Sequence, residues 1–168
     1  MLTPLAADSI TPALQTFSIL AAAIAAGTNL SSSIVTLPAL LHSAPSTLAT
    51  QWQILYDYGI TPVVSLSMSS AVGFATLAYR TTLTSTGAVT NARRNLYIAA
   101  AVATFGLAPY TKIVMNRTNE ELMKRAKMSS SEGKSDTHDL VRQWGRLVLG
   151  RGTLLLIGAG LGLWASVN

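Results

Sequence analysis

Residues 60–79 read ITPVVSLSMSSAVGFATLAY and contain no charged side chain. About 20 residues is the length at which an apolar helix crosses a bilayer core, so this stretch decides the fold. Three further apolar segments flank it. One covers about 14–41, with Pro38 expected to kink or end it. Another covers about 96–114, with Pro109 inside and Lys112 near its end, and the last begins near Leu147. The chain is 49% hydrophobic and 11% charged, with mean hydropathy +0.40. Soluble domains carry about 25% charged residues, so the ionic coat that water requires is missing. Charge is also segregated: only Asp8 and Asp57 precede Arg80, and none follows Arg151.

These features predict an all-α fold in a single membrane-embedded domain, 1–168. The expected architecture is a four-helix transmembrane bundle, with helices at about 11–41, 60–80, 94–114 and 144–166. A short interfacial helix at 47–58, started by Pro45-Ser46 and stopped by Gly59, joins the first pair. A long polar loop joins the last pair. Within it, Thr118 and Glu121 fit a capping box, which starts a short helix near Asn119, and SSSEGKSD (129–136) reads as a flexible turn. Small residues pervade the helices, so close packing is expected, including a stripe of Ala23, Gly27 and Ser31 and the glycines of GAGLGL (158–163). The N-terminus lacks a charged n-region with a compact apolar core, so the first apolar stretch is read as a retained helix.

The net charge of +5 comes mainly from 112–151, where basic residues are interleaved with Glu120, Glu121, Glu132, Asp136 and Asp139. Anionic headgroups explain that cluster, and no zinc-finger or RNA-binding motif supports nucleic acid. Positive-inside counting puts the long loop in the cytoplasm, against only Arg80, Arg93 and Arg94 on the opposite face. The segments 42–59 and 114–146 then share one face, where their polar and aromatic residues can converge. Cysteine is absent, which excludes disulfides, thiolate metal sites and a dithiol relay. His42 and His138 belong to no metal-binding pattern, so no metal is expected, although either imidazole can accept a proton near neutrality.

Three groups of residues carry candidate chemistry. Trp52 and Tyr56 lie one helical turn apart beside Asp57. They form either an interfacial aromatic belt or a platform for a flat substrate. Lys112, Asn116 and Asn119 fall at i, i+4 and i+7, a donor set for a developing oxyanion if the helix runs on. Trp144, Val148 and Arg151 share the same spacing on the last helix. Roughly 16 residues follow Arg151, about 24 Å of helix, short of a ~30 Å core. Arg151 therefore sits about a turn inside the membrane, either snorkelling outward or serving a pocket.

QW…LY…G (51–59), P-x-T…M…TN…L (109–122) and W…L…R (144–151) resemble, in order, the anthrone oxygenase family of small membrane proteins in fungal polyketide pathways. AAGTNLSSSIVTLPALL (25–41) and RRNLYIAAA (93–101) fit its first and third helices. The resemblance implies a cofactor-free oxygenase that converts an anthrone-type aromatic polyketide to the anthraquinone with O2. It also implies an integral protein of the endoplasmic reticulum or another endomembrane, in contact with lipid, and leaves a homo-oligomer open. Trp52, Tyr56, Asn119, Trp144 and Arg151 match its pattern. On this reading Arg151 and Asn119 hold the enolate oxygen, and Trp52 and Trp144 sandwich the rings. Val148, Asn116, Lys112 and Thr118 complete the substrate contacts, and Tyr56, Asp57 and His42 all stand as candidate bases. The family pattern reads W-x-x-L-N-x-x-R, whereas this chain has Val148 at the Asn place. Two alternatives accompany the reading: a polyketide cyclase, isomerase or epoxide-opening enzyme on the same fold, or a non-catalytic membrane subunit or lipid-binding protein.

Overall fold

Neither Gly59 nor Pro62 interrupts the helix around residues 60–79. In a computed structural model, which describes residues 4–84, 87–127 and 136–168, the regular structure is helical throughout. Helix α1 (Pro4–Ser31) passes through a π-helical turn (Ser32–Thr36) into α2 (Leu37–Leu40). Helix α3 spans Pro45–Thr84. Helices α4 (Ala88–Phe105) and α5 (Leu107–Tyr110), a second π turn (Thr111–Met115) and α6 (Asn116–Ala126) form a third rod. Helix α7 (Thr137–Val167) completes the bundle. Four segments, Ser9–Leu40, Thr47–Leu83, Val89–Ala126 and Thr137–Val167, are long and apolar enough to cross a membrane.

Two expectations about boundaries change. The helix anticipated at 47–58 forms, but as the first turns of α3 rather than as a separate element. A mid-helix glycine costs only about 1 kcal/mol relative to alanine, and burial of the α3 residues Leu48 and Trp52 in the bundle outweighs it. The Thr118–Glu121 capping box is absent, because α6 grows directly out of the π turn and has no free N-terminus to cap. Thr118 is instead buried. The turn expected in SSSEGKSD falls almost wholly outside the described residues.

The prolines account for the irregular turns. Pro38 offers no N–H to the carbonyl of Ile34, four residues back, and that carbonyl lies within the first π turn. Pro109 does the same to Phe105, where α4 ends. Each π turn then resets the helical phase. Ala25, Asn29, Ser33 and Leu37 all turn toward the bundle interior, as do Leu107, Thr111, Met115 and Asn119. Three steps of four residues overshoot an α-helix by about 120°, and the extra residue of a π turn takes back about 100°. Helix α7 has no such turn, and its inward residues keep the α period through Trp144, Val148, Arg151 and Leu155.

His138 Nε2 lies 3.1 Å from the Ser43 carbonyl oxygen, so the 41–44 connection and the start of α7 meet at one end. There Arg125 clasps α6 to α7 through Asp136 at 2.8 Å. Its side chain is nearly buried, unlike the exposed Arg142–Asp139 pair. Three apolar layers stack along the axis. Trp52, Met115, Leu122 and Trp144 fill this end, Val63, Leu107 and Leu155 the middle, and Phe74, Leu77 and Tyr97 the far end.

Glycines of α7 permit the close approach. A Cβ on Gly158 would sit 2.7 Å from the Thr104 methyl and 3.3 Å from the Ala100 carbonyl oxygen, and one on Gly162 would enter the Phe74 ring, while Gly160 faces open space. The expected Ala23–Gly27–Ser31 stripe does not pack as a unit, since only Ala23 reaches the far-end layer. Gly27 and Ser31 are exposed, and the buried face of α1 is Ala22, Ala25, Ala26 and Asn29. Gly158→Val should therefore destabilise the α4–α7 contact by about 1–3 kcal/mol. Gly160→Ala should be neutral or stabilising by up to about 1 kcal/mol. Thermal unfolding in detergent distinguishes the two.

Candidate active site

Helix α7 turns Trp144, Val148 and Arg151 inward on one stripe, as their spacing implies. Arg151 is only 6% exposed. Its Nε donates to Asn29 Oδ1 at 2.7 Å, and its Nη1 donates a longer bond to Thr111 Oγ1 at 3.4 Å. The guanidinium is thus held inside the bundle by α1 and the third rod and does not snorkel outward. Asn29 is itself fixed, since its Nδ2 donates to the Ala25 carbonyl oxygen at 2.7 Å and leaves only the amide oxygen to face Arg151. Thr111 gives its own proton to the Leu107 carbonyl oxygen at 2.8 Å, so only its lone pairs remain for the arginine.

Both partners are neutral. The ion pairs formed among the described residues belong to Arg125 and Arg142, and Arg151 meets no carboxylate there. Burying an ion without a counter-ion costs several kcal/mol even after relaxation. This cation also lies in an apolar helix, where such groups mark pathways and sites.

Beside Arg151 runs a narrow cleft of about 20 Å3, lined by Thr28, Asn29 and Ser32 of α1, Tyr56, Gly59 and Ile60 of α3, and Trp144 and Val148 of α7. Tyr56 stacks on Trp52, with ring centroids 5.2 Å apart at 26°. Trp52 meets Trp144 edge to face at 5.8 Å and 90°. The expected sandwich of substrate rings between the two indoles is therefore corrected: they touch each other, and no planar ring fits between them. Trp52 instead lies wholly buried as a floor, and only Trp144 lines the cleft. Both indole N–H groups are buried without a hydrogen-bond partner.

The other candidates separate. Asp57 follows Tyr56 by one residue, about 100° around the helix, and is exposed, as is His42. Lys112 and Asn116 are exposed as well, and Asn116 donates to Glu120 Oε1 at 2.7 Å. The π turn at 111–115 shifts the phase between Lys112 and Asn119, while Asn116 and Asn119, both on α6, differ by about 60° around the helix and only Asn119 turns inward. Asn119 is buried with its Oδ1 unpartnered, yet neither it nor Thr118 lines the cleft. Asn29 and Thr111 were missed by the sequence reading. An amide inside the charge-free run of α1 was the available signal. Among the described residues no three His, Asp or Glu side chains gather closely enough to hold a metal ion.

A sequence profile of the family described as anthrone oxygenase matches residues 52–161, which include Trp52, Tyr56, Trp144 and Arg151 but not Asn29. The chain is 31% identical over 145 residues to an anthrone oxygenase of Claviceps purpurea, covering 81% of this chain and 78% of that one. It is 28% identical to anthrone oxygenase encC of Aspergillus fumigatus, over 80% of this chain and 82% of the relative. It is 29% identical to anthrone oxygenase nsrD of Aspergillus novofumigatus, over 88% and 93%. No solved structure matches the chain.

The bonding around Arg151 separates two substitutions at Asn29. Asn29→Leu strips the acceptor from Nε and should lower stability by about 1–3 kcal/mol. Asn29→Asp keeps the acceptor and supplies the missing counter-charge, so its Tm should match or exceed wild type. Parallel unfolding of the two variants checks this.

Proposed function

The chain belongs to the anthrone oxygenase family and is an oxygenase enzyme, and on that premise we propose that it converts an anthrone-type aromatic polyketide to the anthraquinone with O2 and no cofactor. The observation that carries this reading is the buried Arg151 guanidinium, which faces the cleft with two neutral oxygens and no counter-ion. Such a group attracts an anion, and the anthrone enolate is a flat, apolar one.

The chemistry follows from the substrate. A ketone across the central ring acidifies the benzylic CH2, and removal of one proton gives the enolate. Arg151 stabilises the oxygen on which that charge develops, an arrangement worth far more in a dry site than in water. The Trp144 N–H, buried and unpartnered, supplies a further donor to a substrate oxygen. Of the three candidate bases only Tyr56 lines the cleft, and its hydroxyl is assigned as a relay that gives its own proton to water as it takes the substrate's. The electron-rich carbanion then reduces O2 and combines with it, forming a peroxide at the former CH2. That carbon loses its remaining proton as the O–O bond breaks, giving the second ketone and water. Anthrone plus O2 becomes anthraquinone plus H2O, and the electrons come from the substrate.

Ligand pockets usually measure about 300–1,000 Å3, so a cleft of about 20 Å3 must widen to admit three fused rings. Ser32 of α1 and Gly59 of α3 face the cleft, and a Cβ on Gly59 would meet nothing within 4 Å, so the widening is assigned to this seam. That seam opens sideways toward lipid, so an apolar substrate reaches Arg151 directly from the bilayer. On this reading the long-loop end faces the cytoplasm of an endomembrane.

Oxygen uptake by purified protein supplied with a hydroxyanthrone tests the reaction. Wild type should consume one O2 per quinone formed. Arg151→Leu and Asn29→Asp should both lose at least about 100-fold in kcat, as removal of an oxyanion donor does. Full turnover by Asn29→Asp would contradict the need for an uncompensated cation.

A further inference from the structure

At the end of the bundle remote from Arg151, a second cavity of about 380 Å3 opens where α1, the end of α3 and the start of α4 converge. Arg80, Arg93, Thr90 and Tyr97 line it, with Leu77 and Val89 as apolar wall. Arg80 and Arg93 come from different helices and are half-buried. Among the described residues the Arg93 side chain makes no hydrogen bond or ion pair, and the neighbouring Arg94 buries its Nε without a partner. Tyr97 is 1% exposed, and its hydroxyl accepts from Gln15 Nε2 at 2.7 Å. Its own proton finds no acceptor among those residues. Thr11 and Gln15 of α1, Thr81 of α3 and Asn168 at the end of the chain complete the wall.

We propose that this cavity binds a phosphate-bearing anion, with Arg80 and Arg93 as the paired guanidinium ligands. Guanidinium forks match phosphate oxygens in geometry and charge. The first turn of α4 adds a partial positive charge beside Thr90. The position fits the headgroup of an acidic phospholipid. Arg80 lies three residues inside the end of the span Thr47–Leu83, and Arg93 four residues inside the start of Val89–Ala126. Exposed Tyr79, Leu83 and Val89 stand at the same level, as acyl chains would require. Two of the three basic residues that weaken the positive-inside asymmetry thus acquire a ligand. This inference is independent of the chemistry assigned to Arg151.

Native mass spectrometry and thermal unfolding of the purified full chain test it, with phosphatidylglycerol, phosphatidylcholine and inorganic phosphate as separate probes. Wild type should retain phosphatidylglycerol over phosphatidylcholine by about tenfold or more, the equivalent of one charge-assisted contact. The R80Q/R93Q double variant should lose that preference. An R142Q/R146Q control, with the same change in net charge at the other end, should keep it. Thr90→Glu places a carboxylate in the cavity at a helix start that favours it, so it should fold and also lose the preference. Stabilisation by lipid alone identifies a headgroup as the source, and stabilisation by inorganic phosphate as well identifies a free anion. A preference that survives in both R80Q/R93Q and Thr90→Glu overturns the assignment. So does a wild type that prefers neither the acidic lipid nor phosphate.

Discussion

A guanidinium buried among neutral oxygens constrains everything around it. Arg151 is bonded to Asn29 of α1 and Thr111 of the third rod, so one side chain ties three of the four rods together. Two hydrogen bonds compensate only part of the hydration it has lost. The remaining demand for negative charge is built into the resting protein. A carboxylate at either contact would remove that demand and leave a well-paired structural arginine. An amide and a hydroxyl keep the cation in place without neutralising it.

The two π turns serve this arrangement. Asn29 lies one turn before the first, and Thr111 opens the second. Each turn lets an inward stripe with a four-residue period continue along a helix whose own period is 3.6. Without the second turn, Thr111 could face Arg151 or Asn119 could face the core, but not both. This explains which parts of the molecule were legible in the sequence. On α7, an uninterrupted helix, the 3.6 period was enough to put Trp144, Val148 and Arg151 on one face. On the third rod the same arithmetic placed Lys112 beside Asn119, because nothing in a linear pattern marks an inserted residue. Pro109 announced a disturbance there but not its phase. Asn29 was hidden for another reason: its role depends on a partner 122 residues away.

Polarity is divided between the ends of the bundle. The Arg151 site lies toward the long-loop end, with Trp144 and Tyr56 in its wall and residues of α1 and α3 facing each other across it. The far end gathers Arg80 and Arg93 around a separate, larger cavity. The apolar middle layer of Val63, Leu107 and Leu155 keeps the two apart. The proposed apolar substrate and the proposed charged headgroup therefore meet different surfaces of the same small protein. Val148 is wholly buried and gives the cleft beside Arg151 an apolar wall.

The central claim is that the protein binds its substrate as an anion at Arg151. An anaerobic absorbance titration of a hydroxyanthrone with purified protein at neutral pH tests this most directly, because no oxygen chemistry can follow. The account predicts that the red-shifted enolate band grows to one equivalent per protein in wild type and is missing with Arg151→Leu. A bound substrate that keeps the spectrum of the neutral ketone in wild type, or an enolate band of equal strength in Arg151→Leu, would contradict it.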